Sequence, residues 1–364
     1  GSVKTIGVGA FRDCWKMTKA TLPEGLETIP RECFIGCRKL ESVNIPDSVT
    51  TIGNMAFTGC ALKEINISKN LTEISIPGYT FSGCPAAITV DAANPNYSAD
   101  ERGVLYNKDK SLLLHCPNFE KAFTFDINCN IDQYAFYNCA NLTDVTFSYA
   151  IKKIPYAAFR NCGSLKITTV PDTVRMIDQV AFDGCGMTEF YLPDSVEYVG
   201  TQAFSSTPLT HFEFNDKVDT FKNIFSICPK LRTVVVGKGI KKIEIGALGG
   251  TNRIDTIYYR GTKSDWDKIN VVDVASALKN IKIVYNYGQT SGVCGDNLTW
   301  SLQPDLFQIT VEGSGDMYSY DNAEDFTWSS NADLIFGRPF GGEVVKISDL
   351  NLDMFRVVVQ GKVF

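Results

Sequence analysis

The chain has 364 residues, of which 44% are hydrophobic and 21% charged, and its formal net charge is −6. That is the composition of an ordered globular chain. It contains no Lys/Arg run suited to nucleic acid or an anionic membrane and no apolar run of about 18 residues that would span a bilayer.

From the first residues a Phe–Cys pair returns at a near-constant interval. Phe11–Cys14, Phe34–Cys37, Phe57–Cys60 and Phe81–Cys84 open the series, and Phe136–Cys139, Phe159–Cys162 and Phe182–Cys185 resume it. A looser copy, Phe225–Cys228, ends it. The phenylalanines step by 23, 23, 24, 55, 23 and 23 residues. A fixed period in the twenties marks a solenoid, in which each coil buries its apolar face only against its neighbours. Val3–Cys14 reads as the second half of a repeat after a Gly1-Ser2 cloning remnant. The chain is therefore expected to start inside a larger protein, with any export signal upstream.

One unit shows the local logic. Leu40, Val43 and Ile45 are apolar while Ser42 and Asn44 are polar, the period of two of a half-buried strand. Pro46 ends that strand and Asp47-Ser48 turns the chain. Val49 and Ile52 point inward across the second side of the coil. A short helical or 3₁₀ segment is predicted from Ala56-Phe57, ending at Gly59. The phenylalanines, Phe11 to Phe182, are expected to form one buried stack.

Seven of the twelve cysteines share one repeat position, Cys228 joins them, and Thr207 fills that position after Phe204. A slot shared by Cys and Thr is a small buried packing site, so these thiols are expected to be reduced. Cys33, Cys116, Cys129 and Cys294 fall outside the slot and are the better candidates for a bridge, with no pairing legible.

The segment LESVNIPDSVTTIGNMAFTGC (residues 40–60) and its copies closely resemble the BspA-like, or Treponema pallidum type, leucine-rich repeats. The likeness covers about residues 3–287. Asn94-Pro-Asn-Tyr-Ser98 with Gly103–Asp109 resembles that family's long coil, placed within 86–131, with Val104–Tyr106 and Leu112–His115 as a hairpin. Tyr258–Thr262 with Asp265–Ile269 resembles its closing coil. The resemblance implies a right-handed solenoid of about eleven coils over residues 1–287, with its strands in one parallel sheet. Residues 288–364 follow as a β-rich cap or adhesive module. Leu298–Leu302 and Phe307–Val311 are predicted to pair as a hairpin there, and Val344–Ile347 and Phe355–Val359 are further strands.

Catalytic chemistry is not legible. The two histidines, His115 and His211, have no histidine partner at metal spacing, and no nucleophile elbow, P-loop or EF-hand loop occurs. The expectation is a protein that is not an enzyme and has no cofactor or metal. What remains is the outward half of each strand. Its pairs are Lys19/Thr21, Ser42/Asn44, Glu64/Asn66, Asp144/Thr146, Ile167/Thr169, Glu189/Tyr191, His211/Glu213, Thr233/Val235 and Thr256/Tyr258. Glu189, Tyr191, His211, Glu213 and Tyr258 carry the aromatic and acidic groups suited to binding. The family resemblance implies a bacterial cell-surface or secreted protein that binds host protein, matrix or glycan through this face. The alternative is a spacer projecting another domain of a larger surface protein.

Overall fold

The structure, a computed structural model, describes residues 3–118, 121–244, 246–247, 254–272, 278 and 281–288. It also describes the backbone of strands at 291–295, 298–303, 308–313 and 356–360. It is a parallel-strand solenoid of about eleven turns.

The period-two alternation sets the strand face. Lys19–Thr21 pairs with Ser42–Asn44, Glu64–Ile67 with Ala87–Val90, and Ala122–Thr124 with Asp144–Thr146, all in parallel. Glu189–Tyr191, His211–Glu213, Thr233–Val236, Thr256–Tyr259 and Lys282–Val284 complete it as five parallel strands. The expected single sheet is thus divided into four pieces among the described residues. One division has a side-chain cause. The inward strand position, filled by Val145 and Phe190 in the flanking coils, holds Thr168. Burying its hydroxyl without a partner would cost about 1–3 kcal/mol. Thr168 is exposed instead, and Ile167, expected to face outward, is buried in its place. No strand forms over these residues.

A second set of parallel ladders, built from two-residue strands, runs along the other side of the coils. Thr28–Ile29, Thr51–Ile52 and Glu73–Ile74 form one such ladder, each burying its isoleucine.

The turn side corrects the expected helical segment. Ala56, Thr58 and Cys60 donate their N–H groups back three residues within their own coil, closing successive turns. The intervening Phe57 and Gly59 donate instead to the Thr80 and Ser82 carbonyls of the next coil at 3.1 and 2.8 Å. Alternating destinations leave no run of N–H groups for a helix. The geometry needs φ near +60° two residues after each phenylalanine, where Gly36 (+75°), Gly59 (+71°), Asn138 (+61°) and Asn161 (+62°) stand. Glycine and asparagine tolerate that region best.

Most slot cysteines turn their thiols to the preceding coil. The Sγ atoms of Cys37, Cys60, Cys162 and Cys185 donate to the carbonyls of Phe11, Phe34, Phe136 and Phe159 at 3.0, 3.1, 3.0 and 3.0 Å. Thr207 fits the slot because its hydroxyl is also a small donor, here to the Phe204 carbonyl at 2.8 Å. Cys33, Cys116 and Cys129 are free buried thiols and form no bridge. Cys14, in the first coil, is exposed. The side chain of Cys294 lies outside the described residues. Burial pushes the Cys33 thiol up to about 12 and the Cys84 and Cys129 thiols up to about 11. The thiolate is the reactive form, so the buried thiols are expected to alkylate at pH 8 only after denaturation, with Cys14 reacting first. Mass spectrometry of the folded protein showing Cys60 or Cys162 labelled as fast as Cys14 would contradict this.

The phenylalanine stack is real but neither wholly buried nor continuous. Phe11, Phe34, Phe57 and Phe81 stack at 5.3, 5.5 and 6.0 Å, and Phe136, Phe159 and Phe182 at 4.8 and 5.4 Å. Phe11 is 36% exposed because no coil covers its outer face among the described residues. Between Phe81 and Phe136 the long coil intervenes. Tyr97–Ala99, Leu105–Asn107 and Leu112–His115 form an antiparallel meander there, so the expected hairpin is present. Buried Asn94 anchors its entry, donating to the Ser68 and Leu71 carbonyls at 2.7 and 2.8 Å.

On the turn side the Phe81 and Phe136 coils lie directly against each other. The Tyr79 and Tyr134 rings stack at 4.6 Å, and a Cβ on Gly78 would meet the Tyr134 carbonyl oxygen at 2.3 Å. In the interior His115 takes the ring position after Phe81, 5.6 Å away, and Phe123 packs edge-on against Phe136. The core is accordingly split into two clusters.

The closing coil has Thr256–Tyr259 and the one-turn helix Lys263–Trp266, capped reciprocally by Thr262 and Asp265. Beyond it, Leu298–Gln303 pairs antiparallel with Gln308–Gly313, which gives the expected hairpin, and Arg356–Gln360 lies parallel to the latter. The strand expected at 344–347 lies outside the described residues.

Candidate functional site

The alternating strands of two adjacent coils bring four of the five sequence candidates together. Glu189 registers with His211 and Tyr191 with Glu213, their inward neighbours Phe190 and Phe212 being fully buried. Inward phenylalanines hold each strand flat against the core, so the outward side chains have a fixed base. The Tyr191 hydroxyl donates to Glu189 Oε2 at 3.1 Å. The Tyr191 and His211 rings lie 5.4 Å apart, and His211 Nε2 stands 3.8 Å from Glu213 Oε2.

Arg260 is the member that sequence reading missed. Its guanidinium pairs with Glu213 and reaches Asp216 Oδ1 at 3.7 Å. The signal was Arg260 itself, two residues beyond a candidate tyrosine, but it lies 47 residues from Glu213. Burial alone would raise the Glu213 carboxyl. The neighbouring His211 and the charge of Arg260 outweigh that, and hold it below the usual range.

Tyr258 departs from expectation. It does point outward, but Tyr287 covers it at a ring separation of 5.1 Å, leaving it 9% exposed in a small outer apolar cluster with Val235. It braces the end of the strip rather than offering a contact surface. Val235, also expected outward, is buried in the same cluster.

The strip therefore offers a phenol, an imidazole, two carboxylates and a guanidinium on a rigid base spanning several coils. It suits hydrogen bonding to hydroxyls, amides or basic groups of a large ligand. Among the described residues no group of three His, Cys, Asp or Glu side chains is placed to hold a metal ion. Among the same residues no helix is long and apolar enough to cross a membrane.

A family model described as BspA type leucine rich repeat region matches residues 2–103 and 129–255 in six copies. No curated protein sequence matches the chain. Among solved structures, the pneumococcal vaccine antigen PcpA is similar with a TM-score of 0.62 and 18% identity, covering 74% of this chain and 68% of its own. A leucine rich cell surface protein from Faecalibacterium prausnitzii has a TM-score of 0.46 and 25% identity, covering 72% of this chain and 65% of its own. A leucine-rich repeat protein from Eubacterium ventriosum has a TM-score of 0.46 and 22% identity, covering 68% of each chain. The PcpA likeness shows the solenoid fold.

Proposed function

Since the chain belongs to the BspA-type leucine-rich repeat family, we propose that it is a non-enzymatic protein of a bacterial surface. It binds a host protein, matrix component or glycan across its strand face. The observation that supports this reading most is the registered strip Glu189–Tyr191 and His211–Glu213, held at its far end by Arg260. Repeat proteins bind along their length, and a hot spot that spans two coils is the form such a surface takes. Tyrosine supplies rigid contact area, while the carboxylates accept hydrogen bonds. An extracellular setting goes with this reading.

The test is a binding screen of the folded chain against matrix proteins and glycans, followed by a Tyr191→Ala/Glu213→Gln variant. Glutamine keeps the side-chain volume, and Arg260 keeps Asp216, so the melt should be unchanged. Affinity for the selected ligand should fall at least about tenfold, or roughly 1.4 kcal/mol. Full affinity in the folded variant would move the site off this strip.

A further inference from the structure

The break in the strand face at Thr168 does more than interrupt a ladder. Lys166 N–H still donates to the Thr143 carbonyl at 3.1 Å, but beyond it no ladder pairing crosses to Asp144–Thr146. On the other side the Thr168 carbonyl accepts from Tyr191 N–H at 2.8 Å, and the Thr169 hydroxyl donates to the Tyr191 carbonyl at 3.0 Å. Between the two sheets a shallow groove of about 450 Å³ opens, with Val145 and Ile167 in its floor. Tyr149 lines it while 82% exposed, the highest value among the large hydrophobic side chains of the described residues. Asp144, Lys166, Thr168 and Thr169 complete its polar wall.

We propose that this groove is a binding site for a neutral oligosaccharide, separate from the Glu189–Glu213 strip. Three features carry the choice of ligand. An exposed phenol ring beside an apolar floor is a stacking platform for the C–H face of a sugar ring. One carboxylate and one ammonium cancel in charge, so the groove exerts no net pull on an ionic ligand, yet both groups hydrogen-bond to hydroxyls. The threonine hydroxyls and the unpaired ladder amides add donors and acceptors in the mixed pattern that vicinal hydroxyls match. An extended peptide fits less well. The Thr168 carbonyl and the Thr169 hydroxyl are already engaged by Tyr191, and Pro171 at the groove's end offers no N–H to a peptide carbonyl.

The experiment is a titration of the whole chain with neutral hexasaccharides of glucose, mannose and galactose in α and β linkages, read by saturation-transfer NMR and calorimetry. At least one should bind. Tyr149→Ala, at a site too exposed to affect folding, should weaken it at least about tenfold. The Ile167→Asp/Thr168→Val variant rewrites this coil as its neighbour Asp144-Val145, which should restore the ladder and abolish binding. The Tyr191→Ala/Glu213→Gln variant should bind the saccharide as the parent does, which separates this site from the strip. The proposal is overturned if no neutral saccharide binds, if Tyr149→Ala binds as well as the parent, or if only charged saccharides or peptides engage the groove.

Discussion

Replacing Phe159 by alanine is expected to destabilise the protein by about 3–5 kcal/mol, one of the two largest effects of any change considered. The ring is fully buried, sandwiched between Phe136 at 4.8 Å and Phe182 at 5.4 Å, with Phe147 edge-on at 5.9 Å. Its removal forfeits the burial and leaves a cavity that stacked coils cannot close without breaking the ladders on both sides. Phe11→Ala is the internal control. That ring stacks on one other phenylalanine and is 36% exposed, so its loss should cost about 1 kcal/mol. Urea melts of the two variants beside the parent measure both values. A Phe159→Ala loss below about 1 kcal/mol would show that the stack does not hold the coils together.

Acid should weaken this protein well before its carboxylates are neutralised, because of one imidazole. His115 is completely buried, and both ring nitrogens lack a hydrogen-bond partner. Burial lowers its pKa from the ordinary 6.5 to about 3. Below pH 6.5 the unfolded chain takes up a proton that the folded chain refuses until about pH 3. Stability from this site is therefore complete above 6.5 and declines as pH falls, by about 1.4 kcal/mol per pH unit. Between pH 6.5 and 4.5 that amounts to about 2–3 kcal/mol. Leucine has nearly the volume of histidine and no proton to bind, so His115→Leu should flatten this slope while leaving the lower-pH carboxylate titration in place. Parallel urea series at several pH values decide it. Equal slopes in parent and variant would mean that His115 is hydrated in the folded state.

The repeat was legible because it is written in side chains of unmistakable size. A phenylalanine every 23 residues and a cysteine three places later survive any uncertainty about element boundaries. Their partners are found by adding the period, which is why Glu189 and Tyr191 could be set beside His211 and Glu213 before the fold was seen. What was hidden follows from backbone and from exceptions. The turn-side bonding leaves only a faint mark, a glycine or asparagine two places after most of the phenylalanines. His115 entered the core because the long coil shifts the register, and a period carries no information across a 55-residue gap. Thr168 was visible as a lone polar residue at an inward position, but whether a chain buries a hydroxyl or flips it out depends on what surrounds it. Tyr258 read as outward, and is. Its cover, Tyr287, comes from the junction after the repeats, where no period applies.

On the turn side the backbone hydrogen bonds between coils run one way, while the slot thiols donate in the opposite sense. Glu32, Phe34 and Gly36 donate to Asn54, Ala56 and Thr58 of the following coil, and Phe159 and Asn161 donate to Ala181 and Asp183 in the same sense. Along that side each coil's backbone offers donors to its successor and acceptors to its predecessor, so the turn side of a stack has a head and a tail of opposite chemistry. Two such stacks meeting through like ends about a two-fold axis would set donor against donor or acceptor against acceptor. Only a head-to-tail junction continues the pattern, and a junction of that kind does not close on itself. Along its turn side the solenoid is thus built to lengthen by adding coils within one chain.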